Sequence, residues 1–170
     1  MRQVALLRGV NLGKRQVKMA ELRALVEGAG YANVQTLLAS GNIVLNAKEK
    51  GAKLEAALKA LILDGLALNT DVFVRTGAEL EATIAANPFK AFAKEQPTFL
   101  VVHFLRDPVT KAELATMGKT ALTGEQWRQG KNCLYITFPK GQGHSKLKTP
   151  KLATARNWNT VTKLAAMFDN

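Results

Sequence analysis

Residues 33–47, NVQTLLASGNIVLNA, decide how the first half of the chain folds. Two apolar, strand-like runs lie on either side of Ser40-Gly41-Asn42, and serine, glycine and asparagine are typical residues of a tight turn. The segment therefore predicts a β-hairpin.

The segments around this hairpin complete a recognisable order. QVALLRGV at 3–10 predicts a strand buried on at least one face, and TDVFVRT at 70–76 predicts another strand. Apolar residues at helical spacing predict helices over 17–29 and 52–63. The order βαββαβ is the split βαβ pattern of ferredoxin-like folds.

The chain then passes into a second half. Thr76 and Glu79 have the spacing of a capping box, which opens a helix. The segment 89–96, FKAFAKEQ, is interpreted as a connector. We therefore expect two halves: 1–88, which includes the connecting helix, and 97–170.

The second half repeats the first only in part. It shows a strand at 98–105, a helix that Asp107 caps with Pro108 at its first position, and two strands that turn near 130–132. From Ser145 onward the tail is predicted to be helical. This half is βαββα without a clear closing strand. The predicted fold class is α+β, with two ferredoxin-like halves packed together and the second incomplete.

Composition limits the class of protein. The chain has 170 residues, of which 47% are hydrophobic and 22% are charged, as expected for a globular fold. Its one cysteine, Cys133, excludes an intramolecular disulfide and is interpreted as a packing residue. The N-terminus is too polar for a signal peptide, and no apolar run approaches the ~20 residues of a membrane span. We expect a cytoplasmic protein without a cofactor, and the absence of HExxH or Cys/His spacing gives no support for a metal site.

The net charge of +11 comes from the two ends of the chain. Residues 1–20 contain five bases and no acid, residues 21–125 sum to −1, and residues 126–170 contain eight bases and one acid. If the fold brings the ends together, they form one positive surface that attracts phosphate-bearing partners. The other interpretation is that the charge only keeps the protein soluble.

Three segments together are similar to a known family. They are residues 5–45, beginning ALLRGVNLGK, the ANPF at 86–89, and TARNWNTVTKL at 154–164. In this order they resemble the bacterial family catalogued as domain of unknown function 1697. The resemblance covers nearly the whole chain. It implies a two-part α+β protein with ferredoxin-like subdomains and implies no activity.

The loop after the first strand is the first candidate site. Arg8 at the end of an apolar strand needs a partner or solvent. The glycines beside Asn11 allow close approach of a ligand, whose negative charge successive N–H groups and Lys14 would hold. The spacing is neither a P-loop nor a dinucleotide fingerprint. The structural alternative is that Arg8 forms a salt bridge and Asn11 satisfies the turn.

The hairpin turn is the second candidate. Ser40 and Asn42 present a hydroxyl and an amide at a strand end, although ordinary turn chemistry explains them equally. A nucleophilic Ser40 needs a base. His103 lies in an apolar strand and is interpreted as a core residue, and nothing places His144 near Ser40. A Ser-His-Asp triad is therefore not favoured, and the catalytic residues, if any, are unknown.

The third and fourth candidates lie near the C-terminus. Arg156, Asn157 and Asn159 surround a predicted helix start that Asn157 or Thr154 caps, and a helix start beside an arginine suits an anion. The adjacent Trp158 is interpreted as a core residue. The basic loop 139–151, which includes Lys146 and Lys148, is either solvated or a flap over the Arg156 region.

These candidates support three hypotheses, of which the placement of charge favours the first. The first is a nucleic-acid-binding module with a positive face built from both chain ends. The second is an enzyme or binder for a small phosphorylated metabolite in a cleft between the halves. The third is a polar network that only stabilises the fold. No membrane partner is expected. The candidate ligand-binding residues are Arg8, Asn11, Lys14, Ser40, Asn42, Lys146, Lys148, Arg156, Asn157 and Asn159.

Overall fold

The computed structural model describes residues 1–13 and 16–169, which form two compact units. The first unit contains Met1–Glu81 and the C-terminal segment from Leu164. The second unit is Ala82–Lys163. Each unit is built around its own four-stranded antiparallel sheet, which confirms the predicted α+β class with two halves.

The first unit has the predicted βαββαβ order. Its elements are β1 (Arg2–Leu7), α1 (Met19–Gly28), β2 (Ala32–Leu37), β3 (Asn42–Asn46), α2 (Ala52–Leu66) and β4 (Val72–Thr76). The strand order β2-β3-β1-β4 is that of a ferredoxin-like sheet. Both helices bury residues spaced three or four apart, Leu22 and Val26 in α1 and Leu54, Leu58 and Ile62 in α2.

The second unit has a sheet of the same strand order, but the connection between its third and fourth strands differs. Its elements are α4 (Lys90–Glu95), β5 (Leu100–Leu105), α5 (Lys111–Thr120), β6 (Gln126–Gly130), β7 (Cys133–Thr137) and β8 (Ala153–Asn157). The strand order β6-β7-β5-β8 corresponds position by position to that of the first sheet. The helices α3 (Gly77–Ala85) and α6 (Trp158–Ala166) follow β4 and β8 directly.

The predicted helical tail from Ser145 is wrong in its first part. The segment ATARN at 153–157 is β8, which pairs with β5 from Val101↔Asn157 to Leu105↔Ala153 and closes the second sheet. Alanine and arginine favour helices locally, so this strand is formed by its pairing partner rather than by propensity. The unit is incomplete for another reason: the described chain between β7 and β8 contains a 3-10 turn, Gln142–His144, and no α-helix.

Two smaller predictions are also corrected. Asp107 and Pro108 precede the helix rather than start it: α5 begins at Lys111, where the Thr110 side chain accepts from the backbone N of Glu113 in a complete capping box. The predicted connector 89–96 contains α4. The capping box of Thr76 and Glu79 is confirmed, with hydrogen bonds of 2.8 and 3.1 Å.

In the part of the chain that the structure describes, none of the helices combines the length and apolarity that a bilayer crossing requires.

Candidate functional site

Asn11 joins the loop after β1 to the β2–β3 turn. Its Nδ2 donates to the Ala39 carbonyl at 2.5 Å, and its Oδ1 accepts from the Val17 backbone N at 2.7 Å. A third bond, from the Leu7 backbone N to the Gly41 carbonyl at 2.8 Å, lies beside them. We call residues 8–13 and 38–41 the two-loop tip. Asn11 satisfies the turn, as the structural alternative proposed.

The tip is held together by close packing as well. Gly41 has a φ of +86°, and a Cβ there would lie 2.7 Å from Val10 Cγ2 and 2.9 Å from Leu7 Cβ. Asn42 is completely buried, and its Nδ2 donates to the Leu37 carbonyl at 2.7 Å and to Ser40 Oγ at 2.8 Å. The structure thus brings Ser40 and Asn42 together as partners in one turn, with Ser40 at the surface.

Arg8 forms the salt bridge that the structural alternative describes. Its Nη1 lies 3.3 Å from Asp71 Oδ2, while Lys59 Nζ lies 2.8 Å from the other oxygen of the same carboxylate. The Arg8 carbonyl also accepts from Thr70 Oγ1 at 2.6 Å. The Arg8 side chain nevertheless stays 41% exposed, so the guanidinium is fixed at one edge and open to solvent. Lys14, the remaining candidate of this loop, lies outside the described residues.

The basic loop of the second unit is anchored by a buried carboxylate. Glu125 accepts from the Thr123 backbone N at 3.1 Å, from Thr123 Oγ1, and from Ser145 Oγ at 2.8 Å. Two bonds continue into the loop: Ser145 Oγ accepts from the Leu147 backbone N at 3.2 Å, and Thr120 Oγ1 accepts from the Lys148 backbone N at 3.0 Å. The loop backbone is therefore held while the Lys146 and Lys148 side chains are exposed.

Hydrogen bonding also favours the ionised form of Glu125. Desolvation raises its pKa, but the hydrogen bonds from Thr123 and Ser145 outweigh that effect and leave the pKa below the usual carboxylate value. Sequence reasoning missed this residue. The available signal was that Glu125 is the one acid between Glu113 and Asp169 in a strongly basic stretch.

Arg156 is an interior residue. It is 6% exposed, and its Nη1 donates to Thr154 Oγ1 and to the Ala155 carbonyl, each at 2.8 Å. Burial lowers its pKa to about 10. Asn157 is the predicted cap of α6, since its Oδ1 accepts from the Thr160 backbone N at 3.0 Å. Asn159 is exposed in the first turn of that helix.

The basic loop does not cover Arg156. Leu147 packs against the apolar cluster that also contacts Ala155, and successive residues of a strand point to opposite faces of the sheet. Arg156 therefore lies on the face opposite to the loop. The structure groups Arg156 with Thr154 and Asn157, and it keeps Lys146 and Lys148 apart from them.

Two side chains of reactive types, Cys133 and His103, lie in the interior, as predicted. Burial lowers the pKa of His103 to about 4, and its Nδ1 has no hydrogen-bond partner. Among residues 1–13 and 16–169, no group of three His, Cys, Asp or Glu side chains is arranged to hold a metal ion.

The first unit has two surface depressions, and neither is lined by a predicted site residue that the structure describes. One, of about 460 Å³, is lined by residues that include Met1, Tyr31 and Glu49, and another, of about 410 Å³, includes Gln16 and Leu68. Desolvation, together with the Glu49 charge, raises the pKa of Tyr31.

The positive charge belongs almost entirely to the second unit. Ala82–Lys163 contains 13 basic and 4 acidic residues, a net +9, whereas the rest of the chain contains 11 and 9, a net +2. Of the four acids, Glu125 is buried and Glu113 is partly buried, while one base, Arg156, is buried. We call the twelve exposed bases the basic surface: Lys90, Lys94, Arg106, Lys111, Lys119, Arg128, Lys131, Lys140, Lys146, Lys148, Lys151 and Lys163.

Comparisons with known proteins agree with this architecture. A family model described as a protein of unknown function (DUF1697) matches residues 1–135. A solved structure, described as conserved bacterial protein SP0830 from Streptococcus pneumoniae, is similar with a TM-score of 0.78 and 24% identity, over 98% of this chain and 97% of that chain. This likeness shows the fold. No curated protein matches the chain.

Proposed function

The chain belongs to the DUF1697 family, described as proteins of unknown function, and we propose that it binds the phosphate backbone of nucleic acid through its basic surface. The observation that carries the proposal is the balance of exposed charge in the second unit. Twelve exposed bases stand against two exposed acids, Glu95 and Asp107. Such an excess attracts a polyanion and steers its approach.

The anchored loop supports a defined contact rather than a diffuse one. Because Glu125 and Thr120 hold its backbone, Lys146 and Lys148 lose little conformational freedom of the main chain on binding. Lysine side chains contact phosphates as point charges and carry little sequence information. The expected binding is therefore tolerant of sequence and strongly dependent on salt.

The candidate residues of the first unit have supporting roles in this proposal. The amide of Asn11 bonds within and beside the two-loop tip, and the amide of Asn42 bonds within the adjoining β2–β3 turn. Arg8 is partly exposed beside Asp71, so it is available to a phosphate on its solvent side. The alternative of a small phosphorylated metabolite, with or without a reaction, stays a prediction.

A pair of double variants tests the proposal. Lys146→Ala/Lys148→Ala removes two charges from the basic surface, and Lys50→Ala/Lys53→Ala removes two exposed charges from the first unit. Binding to a fluorescent ~30-nucleotide duplex is measured at several salt concentrations. We expect the first variant to bind about tenfold more weakly, with a salt slope smaller by about 2, and the second to change little.

The control determines the interpretation. Equal losses in both variants would mean that only total charge matters and would contradict a specific basic surface. Unchanged circular dichroism in both variants shows that the losses do not come from unfolding.

A further inference from the structure

Two leucines are exposed at the two-loop tip. Leu12 is 69% exposed and Leu38 is 52% exposed. Each is next in the chain to one end of the 2.5 Å hydrogen bond between Asn11 Nδ2 and the Ala39 carbonyl. Because this bond and the packing around Gly41 hold the loops together, the tip presents apolar surface on a fixed backbone.

Leu38 also adopts a costly backbone conformation. Its φ of +59° is in the left-handed region, where a bulky side chain is an outlier. The other described non-glycine residues with positive φ are three asparagines and one alanine: Asn11, Asn33, Asn132 and Ala67. Glycine or asparagine at position 38 would adopt this conformation more easily. An exposed leucine there is not explained by stability, and such outliers concentrate at functional positions.

The charges around the tip fit a phosphate-bearing partner. Lys18 is exposed and directly follows Val17, whose backbone N donates to Asn11 Oδ1 in the tip. Arg8, in the same loop, is fixed by Asp71 and partly exposed. An apolar contact flanked by cations is complementary to a base step flanked by phosphates.

We propose that Leu12 and Leu38 form an apolar wedge that contacts the bases of bound nucleic acid. This inference rests on the proposed function and adds a second contact, in the first unit, to the basic surface. Two leucines cover much less than the ~800 Å² that each partner buries in a stable protein interface. They also provide too little apolar surface for a membrane-bound face. One or two apolar side chains suffice to unstack a base step.

The test uses a ~30-base-pair duplex containing 2-aminopurine, whose fluorescence rises when its base unstacks. Wild-type protein is compared with Leu12→Ala/Leu38→Ala and with Leu63→Ala, a matched control in α2 that is 45% exposed. We expect wild type and the control to raise the fluorescence. The double variant is expected to bind about a hundredfold more weakly and to give no rise, since burial of each leucine is worth about a factor of ten.

A second variant separates function from folding. Leu38→Gly relieves the unfavourable φ, so its melting temperature is expected to equal or exceed that of wild type while the fluorescence rise decreases. A melting temperature that falls together with binding would assign Leu38 a structural role and overturn the wedge.

The outcomes distinguish the two proposals. Salt-dependent binding by wild type, with equal affinity and fluorescence in Leu12→Ala/Leu38→Ala, overturns the wedge and leaves the basic surface standing. No binding by wild type overturns both. A double variant that loses affinity for anionic phospholipid vesicles, with its duplex binding intact, overturns the wedge in favour of a lipid surface.

Discussion

Individual side chains in this protein carry out tasks that a short motif does not reveal. Asn11 has a φ of +56°, which asparagine tolerates, and uses both ends of its amide to hold two loops. Arg156 lies in a motif rich in polar residues, yet its side chain is buried and bonds to Thr154 of the same strand. A cluster of polar residues in the sequence thus does not distinguish residues that bind a ligand from residues that stabilise the fold.

His103 offers a prediction at the residue scale. Its pKa is about 4 in the folded state against 6.5 for the free side chain, because burial disfavours the charged ring. His103 is therefore protonated near pH 6.5 in the unfolded chain but only near pH 4 in the folded chain. The free energy of unfolding is unaffected above pH 6.5 and falls as the pH drops, by about 2 kcal/mol between pH 7 and 5.

Urea denaturation at several pH values between 5 and 7 measures this effect. His103→Leu should remove this part of the pH dependence, because the variant lacks the buried ring whose pKa is lowered. A wild-type stability that stays constant from pH 7 to 5 would contradict a buried neutral histidine.

At the scale of elements, most strands were predictable and one was not. The strands β1 to β7 contain apolar runs or turn residues that indicate them locally. β8 contains alanine, threonine and arginine, and its strand conformation depends on pairing with β5, which lies about fifty residues earlier. The start of α5 was predictable from Thr110 and Glu113, but the Asp107-Pro108 pair was the more conspicuous signal.

The two sheets also end in the same way. β4 and β8 each have a buried arginine in the fourth position, Arg75 and Arg156, whose Nη1 donates to the preceding carbonyl at 2.8 Å. A capped helix follows directly in both cases, with Thr76 and Asn157 as caps. The sequences differ around these arginines, so the correspondence follows from the topology and not from a visible repeat.

The anchored loop gives a prediction at this scale. Ser145→Ala removes the hydroxyl that links Glu125 to the loop and leaves the charge unchanged. Backbone amides of residues 140–149 should exchange with deuterium several-fold faster, and the protein should lose about 1 kcal/mol of stability. Hydrogen-exchange mass spectrometry measures the loop, with Ser40→Ala as the control in the first unit.

Acid should have the same effect on the wild type. The pKa of Glu125 is lowered in the folded state, so the stabilisation is present above the ordinary carboxylate pKa and is lost as the pH falls through the folded value. If Ser145→Ala and wild type exchanged alike in this loop, the hydrogen bond from Ser145 to Glu125 would have no role in holding the loop.

At the scale of the whole molecule, the distribution of charge differs from what the linear sequence suggested. The sequence placed the excess at the two chain ends, whereas the folded units place a net +9 in Ala82–Lys163. This difference arises because Lys90 to Lys119 join the C-terminal bases in one unit, while the acids of residues 21–81 balance the N-terminal bases. The bases near the N-terminus therefore belong to a unit whose net charge is only +2.

The salt dependence of nucleic-acid binding by the wild-type protein tests the central claim most directly. Affinity for a fluorescent duplex is measured between ~50 and ~200 mM salt. Contacts to six or more phosphates predict a loss of about 10³-fold across that range. Absence of binding at the lower concentration, or an affinity that does not change with salt, would contradict the account.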